Sequence, residues 1–174
     1  MAGVYIHIPF CKQKCHYCNF YSAISVKYRD GFICVLQDEI IRRKDYLGEE
    51  TVNTIYFGGG TPSMLSAEEI SSVIKTIYKS HNVSDDVEIT LEINPDDLNK
   101  AKIDDIKNNT SVNRLSIGVQ SFFDDDLHYL NRVHNSNQAI VAIENALNVG
   151  FNNITIDLIY GIPTLTDKKW RQNL

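Results

Sequence analysis

The chain has 174 residues, of which 43% are hydrophobic and 22% charged, with a net charge of −5, enough for one domain with a sizeable core. That balance leaves no basic excess for a nucleic-acid footprint and no Lys/Arg cluster for a polybasic membrane patch. No apolar run approaches the roughly 18 residues of a membrane span, and the first ten residues lack the basic start of a secretory signal, so a reducing, cytoplasmic setting is expected.

In chain order, residues 4–9 read as a strand and residues 25–47 as a helix, with Ser25 as N-cap and Gly48 as stop. The lone cysteine in that helix, Cys34, reads as a small core residue. Residues 54–57 form a short buried strand. Residues 66–79 give the clearest helix, with a Ser66/Glu69 capping box and an apolar stripe of Ile70, Val73, Ile74, Ile77 and Tyr78. A third strand is predicted at 87–93, a helix at 98–107 and a fourth strand at 114–119. A short helix follows at 124–130, then a helix at 136–149 capped by Ser136 and ended by Gly150, and a fifth strand at 153–159. The tail from Asp167 opens another helix. Five strand/helix units in series argue for an α/β fold with a parallel sheet and helices outside it. The chain stops as the fifth helix begins, so a partial, C-terminally truncated barrel is expected.

The strands alternate, whereas central parallel strands are usually continuous apolar runs. Val4, Ile6 and Ile8 oppose Tyr5 and His7; Ile89, Leu91 and Ile93 oppose Glu88, Thr90 and Glu92. Leu115, Ile117 and Val119 oppose Ser116, Gly118 and Gln120; Ile154, Ile156 and Leu158 oppose Thr155 and Asp157. The apolar face then packs on helices, and the polar face looks into a lumen that holds something polar. An antiparallel sheet with one solvated face is the alternative, opposed by the intervening helices.

Cys11, Cys15 and Cys18 form a C-x3-C-x2-C run directly after the first strand. In a reducing compartment this grouping points to metal or redox use rather than a disulfide framework. Three thiolates on one tight loop can hold three corners of a 4Fe–4S cube. The fourth iron is then left open, as catalytic metal sites leave a position open. A zinc knuckle using His16 or His7 is the alternative, but no second C-x2-C half is present. The turn Gly58-Gly59-Gly60-Thr61-Pro62 after the second strand lets backbone come close to a ligand, although a glycine-rich turn alone can be only a turn. Glu92 closes the third strand, Gln120 follows the fourth, and Asp157 sits inside the fifth, where an unpaired carboxylate is costly to bury. The two loops, Glu92 and Gln120 fall at the carboxyl ends of strands, where open α/β folds bind ligands.

The cysteine run with an aromatic before its last Cys, together with G-G-G-T-P, resembles the radical S-adenosylmethionine (SAM) superfamily. Tyr5-Ile6-His7-Ile8-Pro9-Phe10-Cys11, Phe57-Gly58-Gly59-Gly60-Thr61-Pro62-Ser63, Glu92-Ile93-Asn94-Pro95, Asn113-Arg114-Leu115-Ser116-Ile117-Gly118-Val119-Gln120-Ser121-Phe122 and Asp157-Leu158-Ile159-Tyr160-Gly161-Ile162-Pro163 resemble the oxygen-independent coproporphyrinogen III oxidase family, nearest to its heme chaperone branch, HemW. The resemblance implies a partial parallel (β/α) barrel, with residues 1–174 as an incomplete radical SAM core domain. It implies a 4Fe–4S cluster on Cys11, Cys15 and Cys18 and a SAM pocket around it. Tyr17 would lie by the adenine and Tyr5 by the methionine end. Gly59, Gly60 and Thr61 would meet the amino group, and Glu92 the ribose or amino side. Gln120, Arg132 and Asp157 would complete the pocket. The planar fork of Arg132 suits the cofactor carboxylate, although the sequence alone reads this residue as a surface charge.

The implied chemistry is one-electron cleavage of the sulfonium, giving methionine and a 5′-deoxyadenosyl radical, with no side-chain acid/base pair required. The family holds two functions. One is oxidative decarboxylation of two propionates of coproporphyrinogen III, in porphyrin and heme biosynthesis. The other is a heme chaperone that binds heme and hands it to hemoproteins. The oxidase branch extends its motif to C-x3-C-x2-C-x-C; here Phe20 stands at the last position, which favours the chaperone. The implied partners are SAM, heme or a porphyrinogen, recipient hemoproteins and an electron donor. His7, His16 and His134 are candidate heme contacts, each with a commoner structural reading. A non-catalytic iron–sulfur or zinc module is the remaining alternative.

Overall fold

The computed structural model describes residues 2–24 and 27–174. Its sheet has five strands: β1 (Ala2–Ile8), β2 (Val52–Gly59), β3 (Val83–Ile93), β4 (Arg114–Gln120) and β5 (Ile154–Leu158). Their order in space is their order in sequence, and every neighbouring pair is parallel. Parallel neighbours need a long crossover. Helices α1 (Arg29–Arg42), α2 (Ala67–Ser80), α3 (Lys100–Asn109) and α5 (Ser136–Asn148) supply it, with a short α4 (Asp124–Tyr129) before α5 and α6 (Asp167–Asn173) after β5. The expected partial (β/α) barrel is therefore the fold, and the antiparallel alternative falls. Among the described residues no helix is long and apolar enough to cross a membrane.

The alternation sorts the faces as expected. Ile6, Ile8, Ile55, Phe57, Ile89, Leu91, Ile93, Leu115, Ile117 and Val119 are buried against α2 (Ile70, Val73, Ile74, Ile77) and α3 (Ile103, Ile106). Ala139, Ala142 and Ala146 are the buried residues of α5, small enough to bring that helix close to its neighbours. Each fully buried isoleucine contributes about 1.5–3 kcal/mol relative to exposure, so this face holds the barrel segment together. The polar face is left to the other side of the sheet.

Four local expectations change. The helix predicted at 25–47 is α1, ending at Arg42; the predicted cap, Ser25, lies outside the described residues. After Arg42 the chain closes in turns, with Tyr46 N–H donating to Arg43 O at 2.9 Å, and Gly48 adopts φ +56° well beyond the helix end. Cys34 is exposed, not core. α1 buries Ile33 and Ile40, seven residues apart, and Cys34 lies about 100° round from Ile33, on the outward side. The cap of α5 is Asn135 rather than Ser136: Asn135 accepts from Gln138 N–H, and Gln138 returns a bond to Asn135 N–H. Ser136 is already helical, and its N–H donates to Asp124 at 2.8 Å. Finally α3 starts at Lys100 because the Asn99 side chain accepts from Lys102 N–H at 2.9 Å and caps it there. The Ser66/Glu69 capping box is present as expected.

Candidate functional site

The cysteine loop begins where β1 ends. Its neck is closed by a bridge between Phe10 and Ala23, with Ala23 N–H donating to Pro9 O at 2.6 Å and Cys11 N–H to Ala23 O at 3.1 Å. Two clamps hold the loop itself. On one side Lys12 pairs with Asp96 at 2.8 Å and with Asp97, both in the 3-10 turn Pro95–Asp97 after β3. On the other side Gln13 Nε2 donates to Asn131 O at 2.9 Å, and Asn131 Nδ2 returns a bond to Lys14 O at 2.8 Å. His16 adds its N–H to Leu130 O at 3.1 Å and its Nδ1 to Tyr129 O at 2.9 Å. Protein contacts thus pin the loop from both sides.

The glycine turn is built against the same loop. Gly60 N–H donates to Ile8 O and Thr61 N–H to Phe10 O, each at 2.7 Å. A Cβ at Gly60 would sit 2.7 Å from Phe10 O, 2.8 Å from Ile8 O and 3.0 Å from Cys11 Sγ. Gly59 adopts φ +109°, and a Cβ there would lie 2.6 Å from the His7 ring. The close approach that these glycines permit is first of all an approach to β1 and to a cysteine. Thr61 Oγ1 donates to Cys11 Sγ at 3.7 Å. Burial pushes the Cys11 thiol above its ordinary value, against the lowering effect of hydrogen bonds from Thr61 and Ser22.

The polar face of the sheet supplies the rest. Glu92 accepts from Tyr56 Oη at 2.7 Å and Gly59 N–H at 3.2 Å. Burial raises its pKa, and the nearby Asp157 charge adds to the effect. Burial likewise raises Asp157, whose oxygens lie 3.5 Å from Ser116 Oγ. Gln120 is buried and holds φ +67°, a left-handed conformation costly for a residue with a Cβ, at the point where the β4–β5 register shifts. Arg132 is half-buried within the site rather than a free surface charge. Its Nη2 donates to Asn94 Oδ1 at 2.7 Å and Gly118 O at 2.8 Å. Its Nη1 reaches Tyr17 Oη at 3.3 Å and Cys15 Sγ at 3.5 Å. Its Nε is buried without a hydrogen-bond partner among the described residues, a donor that an anionic group would satisfy.

One cleft of about 760 Å³, counting its solvent-open space, is lined by Cys11, Cys15, Cys18, Tyr17, Gly59, Gly60, Thr61, Glu92, Gln120, Arg132 and Asp157. Of the predicted site residues only Tyr5 stands apart. It is 55% exposed, stacks on Tyr56 at 6.0 Å between ring centroids and bonds His7 Nδ1 at 3.2 Å. The cleft also contains Asn94, Ser116 and Gly118, which sequence reasoning did not single out. Asn94 had a signal, since it shares the Glu92-Ile93-Asn94-Pro95 segment, and Ser116 and Gly118 lie on the alternating polar face.

The donor set fits an iron–sulfur cube better than a single ion. Among the described residues no three His, Cys, Asp or Glu side chains gather closely enough to hold one metal ion, whereas a cube gives each cysteine its own iron. The zinc alternative loses one of its candidate fourth ligands: His7 is engaged at both ring nitrogens, by Tyr5 Oη at 3.2 Å and Tyr21 O at 2.9 Å, whereas His16 bonds Tyr129 O through Nδ1 only. The third candidate heme contact, His134, is buried with Nε2 on Val119 O at 3.0 Å.

Comparison with known proteins agrees with this donor chemistry. The model of the Radical SAM superfamily matches residues 5–174. The heme chaperone HemW of Bacillus subtilis is 40% identical over 170 residues, covering 97% of this chain and 45% of the relative. HemW of Haemophilus influenzae is 38% identical over 170 residues, covering 94% and 44%. The chain therefore spans less than half the length of these curated relatives. Among solved structures, the coproporphyrinogen III oxidase HemN of Escherichia coli superposes with a TM-score of 0.86 at 29% identity, over 98% of this chain and 40% of that one. With the match running from β1 to the last helix and the cysteine loop at its head, the chain belongs to the radical SAM superfamily, in the HemN-like group near HemW.

Proposed function

We propose that this chain is a radical SAM core, formed by residues 1–174, that binds a 4Fe–4S cluster on Cys11, Cys15 and Cys18 and SAM on the surrounding strand ends. The observation that carries the reading is convergence: three thiols, a glycine turn, two carboxyls, a strained glutamine and a half-buried arginine line one cleft. When bound, the cluster would supply one electron to the cofactor sulfonium. The chain's own residues hold and shield. The clamped loop fixes the three thiols. Arg132, with a buried unsatisfied N–H, would take the cofactor carboxylate; Gly59, Gly60 and Thr61 would take the amino group and Glu92 the ribose or amino side, with Gln120 and Asp157 completing the pocket. Tyr17 Oη meets Arg132 Nη1 from the loop side at 3.3 Å.

We further propose that the core serves a heme chaperone, handing heme to hemoproteins in a reducing cytoplasm with an electron donor. Two observations support this: the identity to HemW relatives and Phe20, 66% exposed, at the cleft mouth where the oxidase motif carries a fourth cysteine. The structural likeness to HemN favours a second reading, coproporphyrinogen III oxidation.

Anaerobic reconstitution with iron and sulfide tests the first proposal. The reduced cluster should give an electron paramagnetic resonance signal that changes when SAM is added; a signal indifferent to SAM defeats it. Heme titration and a coproporphyrinogen III assay with SAM and reductant test the second. Heme binding without turnover supports the chaperone, and protoporphyrinogen as product overturns it.

A further inference from the structure

Two of the three cysteine sulfurs receive a hydrogen bond from a side chain across the cleft, and the two donors are joined through one residue. Thr61 Oγ1 donates to Cys11 Sγ at 3.7 Å, and Arg132 Nη1 donates to Cys15 Sγ at 3.5 Å. Between them stands Asn94, whose Nδ2 donates to Thr61 Oγ1 at 3.0 Å and whose Oδ1 accepts from Arg132 Nη2 at 2.7 Å.

The direction of every bond in this chain follows from donor chemistry. A guanidinium has donors and no acceptor, so the group facing it must be the Asn94 oxygen. That fixes the amide, and its nitrogen must face Thr61. A hydroxyl has one proton. Because the Thr61 oxygen already accepts from Asn94, its proton is left for the Cys11 sulfur. Arg132 therefore dictates, through Asn94, that Thr61 donates to Cys11, while its other nitrogen serves Cys15 directly. Gly118 O at 2.8 Å anchors the guanidinium from behind, and its residue carries no side chain that would crowd it: a Cβ there would come within 3.3 Å of Arg132 Nη2.

Hydrogen bonds to ligating sulfurs withdraw charge from an iron–sulfur cluster and favour its reduced, more negative form. We infer that Asn94 is a positioning residue that links Arg132 to Thr61, so that both donate to cluster sulfurs and raise the cluster's reduction potential. The inference rests on the cluster reading above and names a role for a residue outside the cofactor contacts assigned there.

Potentiometric titration of the reconstituted protein, followed by electron paramagnetic resonance, tests it with a double-mutant cycle. Thr61→Val keeps the shape and loses the proton, so the half-reduction point should move to more negative potential. Asn94→Asp replaces the donor amide by an acceptor, which turns the Thr61 proton away from Cys11. In the Asn94→Asp background Thr61→Val should therefore cause no further shift, whatever the added charge does by itself. A Thr61→Val shift of equal size in both backgrounds, or of zero in both, overturns the inference. Should Asn94→Asp fail to load iron, Thr61→Val against Thr61→Ser decides: equal potentials overturn the inference, and a negative shift confined to Thr61→Val upholds it. Wild-type protein that assembles no cluster would defeat the cluster reading instead, whereas loaded variants with unmoved potentials defeat this inference alone.

Discussion

Replacing Gly60 by alanine should separate the glycine turn from the cysteine loop. The added methyl would lie 2.7 Å from Phe10 O, 2.8 Å from Ile8 O and 3.0 Å from Cys11 Sγ. The two oxygens are backbone atoms and cannot rotate aside. They are also the acceptors of Gly60 N–H and Thr61 N–H, each at 2.7 Å, so relieving the clash stretches both bonds. Two weakened bonds cost about 1 kcal/mol each, and overpacking adds about 1–3 kcal/mol, giving a loss of about 3–5 kcal/mol. That is a large part of the roughly 5–15 kcal/mol that holds a domain folded. Urea unfolding of the metal-free chain should show the midpoint falling with the slope unchanged. Iron bound per chain after anaerobic reconstitution should fall as well, because Cys11 is displaced. Gly31→Ala is the control. Gly31 lies in α1 with nothing within 4 Å of its Cβ position, so alanine should stabilise by up to about 1 kcal/mol and leave iron loading alone. A Gly60→Ala protein within about 0.5 kcal/mol of wild type (the range of an ordinary surface change) that also loads iron normally would refute the reasoning.

Burial, and secondarily the Arg132 charge, holds the His134 imidazole down to about 4. Its folded pKa is thus below the unfolded value of about 6.5, so stability should be full above pH 6.5 and fall as pH drops towards 4, by at most about 3 kcal/mol. His134→Gln should flatten that part of the pH–stability curve, and an unchanged curve would count against it. Asp126 is fully buried and accepts from Ser121 at 2.8 Å, Thr164 at 2.5 Å and Lys169 at 3.4 Å. Asp126→Ala should cost about 2–4 kcal/mol by stranding the Ser121 and Thr164 hydroxyls, Lys169 keeping Asp125 at 2.8 Å, measured by denaturant unfolding; a loss under 1 kcal/mol would contradict this. Cys34→Ser should change stability by no more than about 0.5 kcal/mol because Cys34 is exposed, whereas a buried cysteine would show a clear loss in the same melt.

What the sequence makes legible is what depends on near neighbours or on strict period. The Ser66/Glu69 box is readable because its two reciprocal bonds lie within one turn. The lumen face is readable because side chains alternate along a strand, whatever the strand packs on. Cys34 is misread because α1 has apolar residues on several sides, so the sequence does not set which stripe turns inward. Asn135 and Ser136 are both capping types, and the folded chain separates them by the reciprocal Asn135–Gln138 bonds and by the Asp124 contact made by Ser136 N–H. Arg132 reads as a surface charge because its four partners, Cys15, Tyr17, Asn94 and Gly118, come from other parts of the chain. The clamps Lys12–Asp96 and Gln13–Asn131 are hidden for the same reason, being 84 and 118 residues apart in sequence.

Those two separations bear on the order in which a ribosome could deliver the site. Strand order equals sequence order, so each new strand can dock on the one already made as the chain emerges from its N-terminus. The cysteines have emerged once residue 18 is out, yet the groups that pin their loop arrive only with residues 96 and 131. During synthesis the thiols are therefore made early and held late. A nascent chain that has emerged only as far as residue 130 carries three cysteines on a loop lacking its second clamp, and metal delivered then meets a site whose geometry is not yet set.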